Sequence, residues 1–488
     1  MKVGVLTLGC DKNTVDSERY LAQLTARGLR HTAVLADADV ILVNTCGFID
    51  AAKRESIDAI VEAGRYRDEG VCRTVVAVGC MVERHRPELE EALPEVDIFL
   101  GASEMELLIP KLEDRGLLLP SQSEVHPGER QYAGDLPHVR YLKISEGCDH
   151  GCAFCAIPLM RGRHRSFSMG DIVREAQLLE LQGAREINLV AQDLAHYGRD
   201  RRDGSELPDL LRALLDETSV PWFRLLYLYS AGMTSRLLAL VAAEPRIVPY
   251  IDMPMQHGSD AVLARMRRPE RGATIRDTVA RVRAAVAEVA IRTTCIVGYP
   301  GETDADFATL LDVLEEVRFD RVGAFTYSPQ EGTRSALLED DVPETVKRDR
   351  LERLTELQRL ITADRYEARI GRVVRSIVDR CPVLEHGDAS TEHVGSRAND
   401  DGGDRTGAAD LTQARTIWQA DDIDGVTRFA SPLPPGTLVD VAIEDVEDDY
   451  DFRASLVSVI DRPAARAVRP PVNRSLPVAH SSMGSFGR

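Results

Sequence analysis

The sequence predicts an α/β protein built from a parallel sheet covered by helices, a partial barrel of six strand and helix repeats, and a β-rich C-terminal piece. Three observations carry this reading. Residues 1 to about 105 alternate short β-branched runs with helical stretches, the pattern of a parallel sheet with helical crossovers. From Val139 to about Ser328 the rhythm recurs six times, with strands near YLKI, EINLV, FRLLYLYS, PYIDMPM, RTTCIVG and RVGAFTYS. Between them, segments such as Met169 to Gln182 and Thr274 to Val289 carry apolar residues at helical spacing, as parallel strands require of their crossovers. A last long helix, Lys347 to Ile370, is expected to end at Gly371, and the runs VVRSIV and TLVDVAIEDV beyond it read as strands.

Length and composition agree. At 488 residues the chain exceeds a single ordinary core. Its apolar runs stop short of the roughly 18 residues of a membrane helix. Only nine residues precede Cys10, too few for a secretion signal, so MKVGVLTLGC reads as a buried first strand. Acidic residues outnumber basic ones 79 to 60, for a formal charge of -19, which repels phosphate backbones and favours basic partners. Nine cysteines, mostly inside strand-like runs or one tight cluster, match a disulfide framework poorly. A reducing cytoplasm is the expected setting, where clustered thiols point to metal or catalysis.

Cys148, Cys152 and Cys155 follow the strand YLKI directly at Cys-x3-Cys-x2-Cys spacing, with Gly147 and Gly151 free to wrap closely around a ligand. Three thiolates with no fourth cysteine nearby would leave one iron of a four-iron, four-sulfur cluster open. The alternative is a structural zinc completed by His150 or His164. Cys10, Cys46 and Cys80 each end a strand-like run, VGVLTLGC, DVILVNTC and TVVAVGC, at the edge where open α/β sheets gather ligands. Singly, each reads as a small buried apolar side chain; three at one end of neighbouring strands can converge. Cys72, Cys295 and Cys381 match no motif and read as structural.

The segment SEGCDHGCAFCAIP, including Phe154, resembles the signature of the radical S-adenosylmethionine superfamily. LGCDKNTVDSE, VNTCGFIDAAKRES and GCMVER resemble the N-terminal domain of methylthiotransferases within it, apart from Asp11, where relatives often have proline or glutamine. The resemblance implies two [4Fe-4S] clusters, one on Cys10, Cys46 and Cys80 and one on Cys148, Cys152 and Cys155, with S-adenosylmethionine bound at the second and cleaved there to a 5'-deoxyadenosyl radical. It also implies a Rossmann-like methylthiotransferase domain over residues 1–115, a radical S-adenosylmethionine core over 134–366 and a small OB-like TRAM barrel over 367–463, while composition alone suggests a linker over 116–133, a flexible insertion near 383–413 and a disordered tail over 464–488. In CIVGYPGET, Pro300 and Gly301 suit an ordinary type II turn, and by resemblance Gly298, Pro300 and Gly301 contact S-adenosylmethionine. In LVAQDLAHYG, Gln192 and Asp193 fall at the barrel mouth, near the cofactor or the substrate; a helix-capping loop is the plainer reading. Gln256 and His257 follow the fourth strand in DMPMQHGSD, and a lone histidine reads first as a satisfied polar group.

Two methylthiotransferase subfamilies share this architecture, one acting on transfer RNA adenosine and the other on an aspartate of ribosomal protein S12. NTCGFIDAAKRES, PMQHGSD and FTYSPQEGTRSA resemble the second. Residues 440 to 451, DVAIEDVEDDYD, carry seven acidic side chains and no basic one, which suits a basic ribosomal protein better than RNA. The resemblance implies S12, on the small ribosomal subunit, as substrate, an electron donor such as a flavodoxin or ferredoxin, no membrane, and no base-specific recognition of nucleic acid. The reading from a different class is a non-catalytic, zinc-stabilised ribosome-binding module.

Overall fold

The structure is a computed structural model and describes residues 1–119, 129–132, 134–382 and 411–463. Most of the expected linker at 116–133, most of the insertion at 383–413, and the tail at 464–488 lie outside the described residues.

Strands β1 (Lys2–Thr7), β2 (Arg30–His31), β3 (Val40–Thr45), β4 (Thr74–Gly79) and β5 (Ile98–Gly101) form an all-parallel sheet in the order β2-β1-β3-β4-β5. Every residue of β3 and β4 is buried, because helices cover both faces. Those helices are α1 (Asp11–Ala26), α2 (Asp50–Glu69), α3 (Cys80–Ala92) and α4 (Leu108–Asp114). Alternating side chains supply two cores: Val3, Val5, Val40 and Leu42 pack on one side, Leu6, Ile41, Val43 and Val75 on the other.

The central unit begins with β6 (Val139–Lys143) and a small ribbon of β7 (Ser145–Glu146) and β8 (Arg165–Ser166) that brackets α5 (Ile157–Arg161). There follow α6 (Met169–Leu181), β9 (Glu186–Val190), α7 (Leu207–Glu217), β10 (Trp222–Leu225), α8 (Ser235–Ala243), β11 (Ile247–Asp252), α9 (Asp260–Arg265), α10 (Gly272–Ala285), β12 (Ala290–Val297), α11 (Asp304–Val317) and β13 (Arg321–Thr326). The six long strands pair in parallel in the order β13-β12-β11-β10-β9-β6, a partial barrel open between β6 and β13. The third strand is shorter than FRLLYLYS suggests. It stops at Leu225 because Tyr227 takes a left-handed φ of 66°. The last helix, α12 (Glu344–Glu367), starts and ends three residues earlier than periodicity implied, set behind Pro343, and Gly371 comes after a further turn with φ 81°.

The third unit is a closed barrel, β14-β15-β16-β18-β17, of β14 (Val373–Arg380), β15 (Thr412–Thr416), β16 (Thr427–Phe429), β17 (Leu438–Glu447) and β18 (Asp451–Asp461). It fills the parallel barrel rather than hanging from it. Ile187, Phe223, Ile251 and Ile291 face the helices, so the strand residues of opposite parity face inward. These bond to the C-terminal unit: Arg415 reaches Glu186 at 2.7 Å, Asp421 accepts from Tyr141 at 2.5 Å and from Asn188 at 2.9 Å, and Asp424 accepts from Tyr250 at 2.5 Å. A shared core of Trp222, Val248, Tyr366, Trp418 and Phe452 surrounds this polar plug.

The N-terminal unit spans the open side. Arg140 and Lys143 on β6 pair with Glu18 and Asp16 of α1 at 3.0 and 2.6 Å. Beyond β13, Gln330 accepts from Arg84 of α3 at 3.1 Å.

Candidate active site

The loop from Gly147 to Ala156 leaves β7 at the carboxyl end of the barrel. Gly147 and Gly151 have φ of 79° and 66°. They need glycine for different reasons: a Cβ on Gly147 would lie 2.2 Å from the Arg163 carbonyl oxygen, whereas nothing lies within 4 Å of one on Gly151. Cys148, Cys152 and Cys155 are close enough that each thiolate would repel the others, and burial pushes Cys148 up to about 11 and Cys155 up to about 12. Unligated, Cys148 and Cys155 are thiols and poor nucleophiles; a bound cation would make them thiolates.

Side chains behind the loop hold it. Tyr229 lies 3.3 Å through its hydroxyl from Cys152 Sγ, with the Arg268 guanidinium 3.8 Å from its ring centre and His150 stacked on it at 3.9 Å. Asp193 Oδ2 takes His150 Nε2 at 2.7 Å, and Asp193 Oδ1 accepts from the Ala195 and Tyr229 backbone nitrogens. Asp193 is thus both a loop cap and the group that orients His150. Its neighbour Gln192 donates to Glu146 at 3.1 Å. Phe154 packs with Met266, Tyr299 and Tyr327, which joins the cysteine loop to the Tyr-Pro-Gly-Glu turn.

In that turn Gly301 has φ 74°, donates to Asp341 at 2.7 Å, and its carbonyl accepts from Arg265 at 2.8 Å. Gly298 has φ 72°, and a Cβ there would meet Lys347 Cγ at 2.3 Å, so the close approach at Gly298 is by α12. Glu302 accepts from the Gly298 and Tyr299 nitrogens. His257 is fully buried, accepts from the Ser259 nitrogen at 3.0 Å and faces Glu302 at 3.5 Å. It braces this turn. Gln256 adopts φ 72° and its backbone bonds to Thr294 and Ile296 of β12.

The second triplet lies at the ends of adjacent strands, though not on them. β1 stops three residues short of Cys10, which instead precedes α1; Cys46 follows β3 at once; Cys80 opens α3. A Cβ on Gly9 would approach Cys46 Sγ to 2.9 Å. Burial and the nearby Cys10 push Cys46 up to about 12, and burial raises Cys80 to about 11. Cys295 is buried in the barrel, and Cys72 and Cys381 are buried apart from both triplets.

The two triplets face one junction. Ala156, directly after Cys155, and Met160 of α5 pack against Cys80. Arg161 at the end of α5 crosses the boundary: Nε donates to Cys80 Sγ at 3.1 Å, Nη1 to Asp16 at 2.6 Å, and Nη2 to Asn13 at 2.5 Å. Sequence reasoning missed Arg161, Tyr229, Arg268 and Lys12, since a single arginine or tyrosine has no periodicity. The nearest signals were that Lys12 lies two residues past Cys10 and Arg161 six past Cys155.

The thiols can be tested against a metal by spacing. Among the described residues neither triplet gathers its three sulfurs within 4.8 Å of one another. A single zinc with Zn–S bonds of about 2.3 Å would draw them to roughly 3.8 Å. His150 and His164 are also engaged elsewhere, His164 with Ser166 at 3.1 Å. Spacing therefore does not favour a single zinc at either triplet. His150, Asp193 and His196 do come within that range of one another, but their geometry is that of the brace behind Tyr229.

A parallel partial barrel with three thiols in the loop after its first strand defines a radical S-adenosylmethionine protein, and residues 142–314 match the family described as the radical SAM superfamily. Residues 2–101 match uncharacterized protein family UPF0004. A radical S-adenosylmethionine methyltransferase, TsrM from Kitasatospora setae, shares the fold at TM-score 0.50 and 13% identity, covering 66% of this chain and 72% of that one. The chain is 42% identical to ribosomal protein uS12 methylthiotransferase RimO of Anaeromyxobacter sp. strain K, over 96% of this chain and 95% of the relative. It is 44% identical to the protein of that name from Flavobacterium johnsoniae, over 78% and 86%. The chain belongs to the RimO family of ribosomal protein uS12 methylthiotransferases.

Proposed function

We propose that this chain methylthiolates the β-carbon of an aspartate in ribosomal protein S12, giving 3-methylthioaspartate, with two [4Fe-4S] clusters. Cys10, Cys46 and Cys80 hold the first; Cys148, Cys152 and Cys155 hold the second, where S-adenosylmethionine binds. When bound, these groups supply a 5'-deoxyadenosyl radical able to take hydrogen from an unactivated carbon and a methylthio group to replace it, chemistry beyond side-chain acids and bases. The observation that supports the reading is the packing of the segment after Cys155 on Cys80, with Arg161 bonded to its sulfur, in a chain that matches a relative over 96% of its length.

The protein's own groups prepare the site. Burial keeps Cys46, Cys80, Cys148 and Cys155 protonated until metal arrives. Arg161 donates to the sulfur of Cys80, and Tyr229 sets its hydroxyl beside the sulfur of Cys152; hydrogen bonds of this kind tune a cluster's potential. Phe154, Gln192, Gly298, Pro300 and Gly301 border the S-adenosylmethionine site, with Gly298 supplying backbone turn rather than open space. The N-terminal unit closes the barrel's open side and shields a radical intermediate from water.

The acidic segment is less naked than its sequence suggests. Of its seven carboxylates, six have an arginine partner: Asp440 pairs with Arg375, Asp449 with Arg359, Asp451 with Arg428, and Glu444, Asp445 and Glu447 with Arg453. Seven acids against four arginines still leave a net charge of -3, which favours a basic protein over RNA. A flavodoxin or ferredoxin is the class of reductant expected. The test is mass spectrometry of S12 from cells with and without this protein. A methylthio mass increment on an S12 aspartate is expected only with it. Unmodified S12 together with 2-methylthio adenosine in transfer RNA would overturn the reading in favour of the sister subfamily.

A further inference from the structure

We propose that Lys12 binds the side-chain carboxylate of the aspartate that is modified. The inference rests on the S12 reading above and adds the group that selects the residue.

Charge around the junction leads to it. Arg161 and Lys143 share Asp16 and Glu146. Arg268 has Glu270 at 3.1 Å, and Arg292 has Asp252 at 2.9 Å. Lys12 alone among these cations pairs with no carboxylate among the described residues. Its side chain lies on the first turn of α1, two residues past Cys10, and the residue is only 7% exposed. The ammonium rests 3.3 Å from the centre of the Tyr227 ring.

A ring face compensates a desolvated ammonium only in part. An anion carried by a ligand would complete it. Tyr227 is itself held unusually: its φ of 66° ends β10 and turns the ring to the barrel mouth, where its hydroxyl donates to Asp11 at 3.5 Å. Non-glycine residues in this region cost energy and persist where the surroundings impose them. Lys12 therefore stands between the first triplet and the mouth of the barrel, where a substrate side chain must lie if it is to lose hydrogen and receive sulfur. An aspartate so placed has its carboxylate on the ammonium and its β-carbon toward the triplets. Asparagine, of the same shape and no charge, loses that pairing.

Binding of isolated S12 to the full-length, cluster-loaded protein tests this, with S12 carrying either its natural target aspartate or asparagine there. The wild type is expected to prefer the aspartate form by roughly tenfold or more, the usual worth of a hydrogen bond to a charged group. Lys12→Met should bind both forms equally with iron content unchanged, and Lys12→Arg should keep part of the preference. Two results overturn the proposal alone: Lys12→Met retaining the preference, or losing iron and binding both forms worse by the same factor, which makes Lys12 a counter-charge to the cluster. A wild type that binds neither form of S12 overturns the parent reading as well.

Discussion

At the scale of single residues, the chain divides its work between thiols and the groups that aim them. Cys152 touches Tyr229, whose ring is held between His150 and Arg268. Cys152→Ala is expected to reduce 5'-deoxyadenosine formation from S-adenosylmethionine to background while iron at the N-terminal triplet remains, as chromatography and iron analysis would read. Arg161 carries more structural charge than any cysteine. Its guanidinium and Lys143 hold the buried Asp16 carboxyl well below the usual range, against the opposing effect of burial. Arg161→Met should destabilise the fold by roughly 3–5 kcal/mol, the cost of breaking a buried pair, in chemical denaturation at neutral pH. The sign with pH follows: a depressed carboxylate stabilises above its unfolded pKa and that stability is lost as pH falls through its folded one, so the variant and the wild type should converge in acid. The cysteines were legible because their chemistry and spacing are both rare. Arg161 was not, because its partners in the N-terminal unit, Cys80, Asp16 and Asn13, are 81 to 148 residues away in sequence.

At the scale of elements, the loop between β7 and α5 depends on backbone that only glycine supplies. The two glycines separate strain from clash. Gly147→Ala drives a methyl into the Arg163 carbonyl and should cost the loop its iron, whereas Gly151→Ala meets open space and pays only the left-handed penalty of about 1–2 kcal/mol. Iron per chain, counted against the N-terminal triplet's share, distinguishes them; equal loss in both would refute the account. Element type was readable from periodicity; the order of strands in the sheets was not. Nor were the ends. β10 stops early and α12 is displaced by three residues, because Tyr227 and Pro343 obey contacts and turn geometry rather than hydrophobic period.

At the scale of the whole molecule, the C-terminal barrel acts as a plug. Asp421 enters the parallel barrel and bonds Tyr141 and Asn188, and burial pushes its carboxyl up to about 7. The folded state therefore holds a proton there that the unfolded chain has released. Stability from this group is present below about pH 4 and lost as pH rises through about 7. Asp379, paired with Arg415 and His138, is lowered to about 2 and works in the opposite sense at the acid end. Thermal melts of Asp421→Asn from pH 4 to 8 should show a flatter profile than the wild type, with the difference gone below about pH 4. A parallel slope in the two proteins would argue against a buried, titrating Asp421.

By itself the sequence determined the chemistry: six cysteines in two triplets, a helix and strand rhythm that makes a parallel sheet and a partial barrel, and local motifs that place the chain in its family. These are properties of residue type and spacing, which survive any arrangement of the units. Only the tertiary structure decided how the units meet. It placed both triplets on one junction, brought Arg161 to Cys80, left Lys12 without a carboxylate, paired six of the seven acids that looked exposed, and sank Asp421 into the barrel. The physical reason is that burial and charge pairing depend on distance in space, and the partners here come from different units of the chain.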